Sequence, residues 1–97
     1  MMVLVTYDVN TETSAGRKRL RHVAKTCVDF GQRVQNSVFE CSVDPGQFVT
    51  LKAKLERIID VETDSLRFYL LGKHWTRRVE TLGRDDSYNP DEDILLF

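Results

Sequence analysis

The stretch Met2-Val3-Leu4-Val5-Thr6-Tyr7-Asp8-Val9 decides the fold. Its residues are aliphatic, β-branched and aromatic, so it reads as a strand. Apolar side chains fall on both parities, which predicts cover on both faces. Outward from it, Asn10-Thr11-Glu12-Thr13-Ser14 is a polar loop in which Thr13 or Ser14 caps a helix opening at Ala15 and Gly16. That helix is expected to run to about Phe30 and to stop at Gly31. Leu20, Val23, Ala24 and Cys27 make its apolar stripe. A second strand is expected over Arg33 to Val43, again with apolar residues on both parities. Asp44-Pro45-Gly46 opens a second helix, because proline suits the first helical position, and Phe48, Leu51, Leu55, Ile58 and Ile59 stripe it. Beyond a polar link from Asp60 to Ser65, strands are expected over Leu66 to Leu71, Arg77 to Leu82 and, as a short fifth, Ile94 to Phe97.

The order assigned is β-α-β-β-α-β with a tail strand. This is an α+β, split-βαβ or ferredoxin-like sheet with two helices on one face. The short gap from Gly72 to Thr76 also permits a hairpin, which leaves β-α-β-α-β-β open. The domain proper is expected over residues 1–83, followed over 84–97 by an acidic linker and the strand tail. A chain of 97 residues that is 41% apolar and 30% charged builds one small core and is not wholly disordered. Helices on one face leave the other sheet face apolar and open, so a second copy of the chain is expected to cover it. No apolar run approaches the roughly 18 residues of a membrane span. Met1 to Tyr7 is too short for a secretory leader, so no membrane partner and a cytoplasmic location are expected.

Net charge is −1, but it is unevenly spread: residues 1–33 carry +3 and residues 83–97 carry −4. Lys18, Arg21, His22 and Lys25 lie at helical spacing opposite the apolar stripe, flanked by Arg17 and Arg19. Such a stripe suits phosphate contacts, and equally a solvated helix face. Asp8 ends the first strand, where a carboxylate is placed either to hold a divalent metal or to cap a turn. Magnesium takes one or two carboxylates and keeps several waters, so two copies of Asp8 across a dimer axis would share one ion.

Other signals fall away. No phosphate-binding glycine loop is present. Asp60-Val61-Glu62-Thr63-Asp64 lacks the glycine and the final glutamate of a calcium loop and reads as a solvated acidic link. His22 and His74 are isolated, Cys27 and Cys41 read as inert core thiols, and Trp75 carries no assignable role.

Val5-Thr6-Tyr7-Asp8-Val9, a basic first helix and Arg33-Val34-Gln35-Asn36-Ser37-Val38-Phe39-Glu40 together resemble the small CRISPR-associated endonuclease family of the spacer-acquisition complex. The resemblance spans essentially the whole chain. It implies a ferredoxin-like homodimer and a nuclease dependent on magnesium, or on another divalent ion such as manganese. It implies Asp8 as catalytic metal ligand, with Tyr7, Arg33 and Phe39 supporting activity, and Arg17 and Arg19 correspond loosely to its basic first helix; together with the stripe this makes Arg17, Lys18, Arg19, Arg21 and Lys25 the expected nucleic-acid-binding residues. The implied partners are the CRISPR integrase subunit and double-stranded protospacer DNA, with single-stranded RNA a further substrate. Three other functions stay open beside it: a non-catalytic adaptor of the integrase complex, a toxin-like ribonuclease sharing the fold, and a small-molecule sensor suggested by the fold alone.

Overall fold

A computed structural model describes residues 1–72 and Glu80. Its elements are β1 (Met2–Asp8), α1 (Ser14–Val28), β2 (Gly31–Gln35), β3 (Val38–Ser42), α2 (Pro45–Ile58) and β4 (Ser65–Leu71). They give β-α-β-β-α-β, the ferredoxin-like order, with a four-stranded sheet ordered β2-β3-β1-β4. Every pairing in the sheet is antiparallel, and β1 is central, held by β3 on one side and β4 on the other.

The order agrees with the assigned β-α-β-β-α-β, but the strands expected from sequence placed only one strand between the helices, and that segment is corrected. Arg33 to Val43 is not one strand. It contains the end of β2, a turn at Asn36-Ser37 and all of β3, and the β2–β3 register shifts between Arg33 and Gln35. The poor alternation of the sequence has its cause here, because a turn and a register shift reset the parity of the side chains. This hairpin supplies the two strands between the helices. The expected strand at Ile94–Phe97 lies outside the described residues, as does Arg77–Leu82 apart from Glu80.

α1 is capped by Thr13, whose hydroxyl accepts from the Gly16 amide at 2.9 Å. α2 opens with a full capping box between Asp44 and Gln47 and with Pro45 in its first turn. α1 ends at Val28, two residues before Phe30, and Gly31 opens β2 instead of stopping the helix. Its glycine is needed for closeness: a Cβ there would lie 1.8 Å from the Glu40 carbonyl oxygen across the hairpin. Gly16 is similarly pressed, with the Asn10 carbonyl oxygen 1.9 Å from where a Cβ would stand. That close approach seats the first turn of α1 against the loop that leaves β1.

One parity of the sheet carries the core. Val3, Val5 and Tyr7 of β1 and Phe39 and Cys41 of β3 pack against Val23, Ala24 and Cys27 of α1 and Leu51 and Leu55 of α2. Both helices therefore cover the same face. On the opposite face, Met2, Leu4, Thr6, Val38 and Glu40 are half-buried, while Arg67 and Tyr69 of β4 are exposed. The two cysteines are free and buried, and Cys41 Sγ lies 3.6 Å from the Cys27 carbonyl oxygen. A hydrogen bond shared with Cys41, then burial, pushes the Cys27 thiol up, which fits inert core thiols.

Because Phe39 is fully buried at the centre of this packing, Phe39→Ala is expected to cost about 3–5 kcal/mol in urea unfolding. Gly16→Ala adds a methyl where backbone already stands and is expected to cost about 1–3 kcal/mol in the same measurement.

Candidate active site

β1 places consecutive residues on opposite faces. Tyr7 turns toward the helices and is buried, whereas Asp8, the last residue of the strand, is exposed. Asp8 and Ser65 form the last residue pair of the β1–β4 ladder. Among the described residues no ion pair or side-chain hydrogen bond engages the Asp8 carboxylate; the ion pair that forms there is Arg19–Asp64.

Under this strand end lies a group that the sequence reading misplaced. Asp64, expected in a solvated link, has a side chain with 0% exposure. Its Oδ2 accepts from Arg19 Nε at 2.8 Å, from the Asp60 amide at 3.0 Å and from the Tyr7 hydroxyl. Its Oδ1 accepts from Arg19 Nη2 at 3.2 Å and from the Thr63 hydroxyl at 3.1 Å. The carboxylate thus gathers β1, α1 and the link before β4. Desolvation on burial works to raise its pKa, but the hydrogen bonds led by Arg19 and Tyr7 outweigh it and hold the carboxyl at about 2. Burial, then the hydrogen bond to Asp64, pushes the Tyr7 hydroxyl up to about 12.

The second motif approaches the same strand end from the other side. The Tyr7 amide donates to the Ser37 carbonyl at 2.9 Å, which ties the β2–β3 turn to β1. Arg33 Nε donates to the Asn36 carbonyl at 2.8 Å, and its guanidinium carbon lies 5.7 Å from the centre of the Phe39 ring. Phe39 is itself fully buried. Tyr7, Arg33 and Phe39 are therefore brought near the backbone that carries Asp8.

The basic residues separate into two groups. Arg17, Lys18, Arg21, His22 and Lys25 are exposed on α1. Arg17 Nη1 is bound locally, to the Thr11 and Glu12 carbonyls at 2.9 and 3.2 Å. Arg19 stands apart, since its guanidinium is engaged with Asp64 on the core side of the helix. The exposed row facing solvent is Lys18, Arg21, His22 and Lys25.

Among the described residues no three His, Cys, Asp or Glu side chains gather as a metal site. Among the described residues Asp8 offers an exposed carboxylate that belongs to no such cluster. That suits a hard, strongly hydrated divalent ion of the magnesium class, which keeps several waters, better than an ion needing a full protein cage. No helix among the described residues is long and apolar enough to cross a membrane.

Comparison with known proteins supplies a family. The model described as CRISPR associated protein Cas2 matches residues 1–79. The CRISPR-associated endoribonuclease Cas2 of Chlorobaculum tepidum is 57% identical over 96 residues, spanning 99% of this chain and 100% of that protein. The CRISPR-associated endonuclease Cas2 of Halalkalibacterium halodurans is 54% identical over 97 residues, spanning all of both chains. The crystal structure of Streptococcus pyogenes Cas2 at pH 6.5 is similar with a TM-score of 0.83 and 80% identity, covering 86% of this chain and 100% of that one.

A carboxyl whose folded-state pKa is depressed stabilises the fold above its unfolded pKa, and that stabilisation fades as pH falls through the folded value. The Asp64 contribution is therefore expected to be complete above its ordinary 3.8 and to disappear as pH drops toward about 2. Tyr7 is shifted the other way, so its contribution holds below 10.0 and is lost as pH rises toward about 12. Urea midpoints taken across these ranges check both limbs, and Asp64→Asn is expected to flatten the acid one. In thermal melts at pH 7, Arg19→Ala is expected to lower the midpoint clearly, because it strands a buried carboxylate. Lys18→Ala is expected to leave the midpoint within experimental scatter.

Proposed function

The chain belongs to the CRISPR-associated Cas2 family, and on that premise we propose that it is a metal-dependent endonuclease that works as a homodimer in spacer acquisition. The observation that carries the reading is the Asp8 carboxylate: exposed, unpaired among the described residues, and fixed at the end of the central strand. Its relatives bear the names endoribonuclease and endonuclease, which makes a phosphodiester in RNA or DNA the substrate bond.

A single Asp8 is a meagre ion site, and two copies related by a two-fold axis supply two carboxylates. The half-buried row of Met2, Leu4 and Val38 beside exposed Tyr69 supports a second copy lying against the open sheet face. A magnesium or manganese ion bound there supplies Lewis-acid polarisation of the phosphodiester. The protein's part is to hold the Asp8 carboxylates in place. Tyr7, Arg33 and Phe39 serve that placement from within each chain.

The exposed Lys18, Arg21 and Lys25 support a second reading, in which the dimer holds protospacer DNA and bridges the integrase as an adaptor. The two readings are compatible, because the stripe lies on α1 and Asp8 at the sheet end. A bound duplex would meet Lys18, Arg21 and Lys25, with Arg17 at the edge of the patch. Arg19 would act chiefly through Asp64.

Asp8→Ala is expected to abolish magnesium-dependent cleavage of single-stranded RNA and duplex DNA while leaving the dimer intact by light scattering. Cleavage at the wild-type rate by that variant would remove Asp8 from the chemistry. Replacing Lys18, Arg21 and Lys25 by Ala is expected to weaken duplex binding. The slope of log affinity against log salt is expected to fall by about 0.9 for each phosphate no longer neutralised. An unchanged slope would place the DNA elsewhere.

A further inference from the structure

We propose that Asp64 is a positioning residue for Asp8: from the helix side of the sheet it fixes the end of β1 and the start of β4, and so fixes the direction in which Asp8 leaves the opposite side. The proposal rests on the reading of Asp8 as the reacting carboxylate.

Four observations carry it. Asp64 immediately precedes Ser65, which pairs with Asp8 across the β1–β4 ladder. Its Oδ2 accepts a hydrogen bond from the hydroxyl of Tyr7, the residue next to Asp8 in the chain. Arg19 holds both of its oxygens, at 2.8 and 3.2 Å, so α1 fixes the carboxylate in angle as well as in position. Finally, its own backbone amide donates to the Asp60 carbonyl at 2.7 Å while its Oδ2 accepts from the Asp60 amide at 3.0 Å. The link before β4 is thereby closed onto the same carboxylate. Asp8 stands at the last residue of its strand and would otherwise be free to fray. A carboxylate whose placement relative to its counterpart in a second copy must hold to within about 0.5 Å is sensitive to such fraying.

This role differs from a purely structural one. Removing a structural bond at this end lowers stability and leaves the chemistry of the surviving folded molecules intact. Removing a positioning bond there lowers turnover in molecules that remain folded and dimeric. The two are separated by three variants of the full-length dimer, Asp64→Asn, Tyr7→Phe and Asp8→Ala. They are compared well below their melting temperatures, with cleavage of single-stranded RNA followed at saturating magnesium. For Asp64→Asn the expected result is a kcat lower by about tenfold or more, with KM within about twofold of wild type. Binding of manganese, measured by calorimetry on the metal alone, is expected to weaken in parallel, and hydrogen exchange at the Tyr7 amide to accelerate. Tyr7→Phe keeps the buried ring and removes one bond to Asp64, so it is expected to shift all three readouts in the same direction by a smaller factor. It decides the matter should Asp64→Asn fail to fold.

Wild-type kcat and manganese affinity in folded Asp64→Asn, or in Tyr7→Phe if that variant alone folds, overturn the proposal while Asp8→Ala is inactive. Full cleavage by Asp8→Ala instead overturns the reading of Asp8 on which the proposal stands.

Discussion

A carboxylate with no exposed surface sits where β1, α1 and the link into β4 meet, and the packing of that end of the sheet depends on it. A buried charge is costly unless it is paired and its remaining acceptor sites are filled. Asp64 meets that condition with Arg19, Tyr7, Thr63 and the Asp60 amide, and no single element supplies them all. The condition is satisfied only when strand, helix and link are in place together. The network therefore specifies how α1 lies over the sheet, where aliphatic packing alone would tolerate sliding.

From that junction the site follows by strand geometry. The buried Tyr7 dictates that Asp8 emerges on the other side. The amide of Tyr7 is held by the β2–β3 turn, and that turn is in turn held by Arg33, which lies over Phe39. The strand end is thus supported on both flanks, by Asp64 through β4 and by Ser37 through β3. In the role proposed for them, Tyr7, Arg33 and Phe39 act through this arrangement without touching a substrate. Fixing the carboxylate proposed to react on a central strand, with its supports on the neighbours, would give a small domain precision without a deep pocket.

Much of this was legible in the sequence. Apolar parity in Met2 to Val9, the Thr13 cap and the Asp44-Pro45 opening announce β1, α1 and α2, because each depends on local chemistry alone. Asp8 was legible as the polar end of an apolar strand. The hairpin within Arg33–Val43 was not resolved, since its turn, Asn36-Ser37, carries no glycine or proline and apolar residues resume directly after it at Val38 and Phe39. Gly31 reads as a helix stop because its real requirement, the Glu40 carbonyl pressed against it, lies across the hairpin. Asp64 was missed because an acid in an acidic stretch is usually solvated. Two signals pointed to it: a tyrosine on a buried strand parity needs a hydroxyl partner, and Arg19 stands four residues before Val23 on the core side of α1. That spacing removes Arg19 from the row formed by Lys18, Arg21, His22 and Lys25.

The most direct test of the central claim is to soak manganese into crystals of the dimer and locate the ion by its anomalous scattering. The expected result is a peak between the two Asp8 carboxylates, at the ends of the two copies of β1. A fully occupied peak elsewhere on the dimer, with none at Asp8 under conditions that support cleavage, would contradict it.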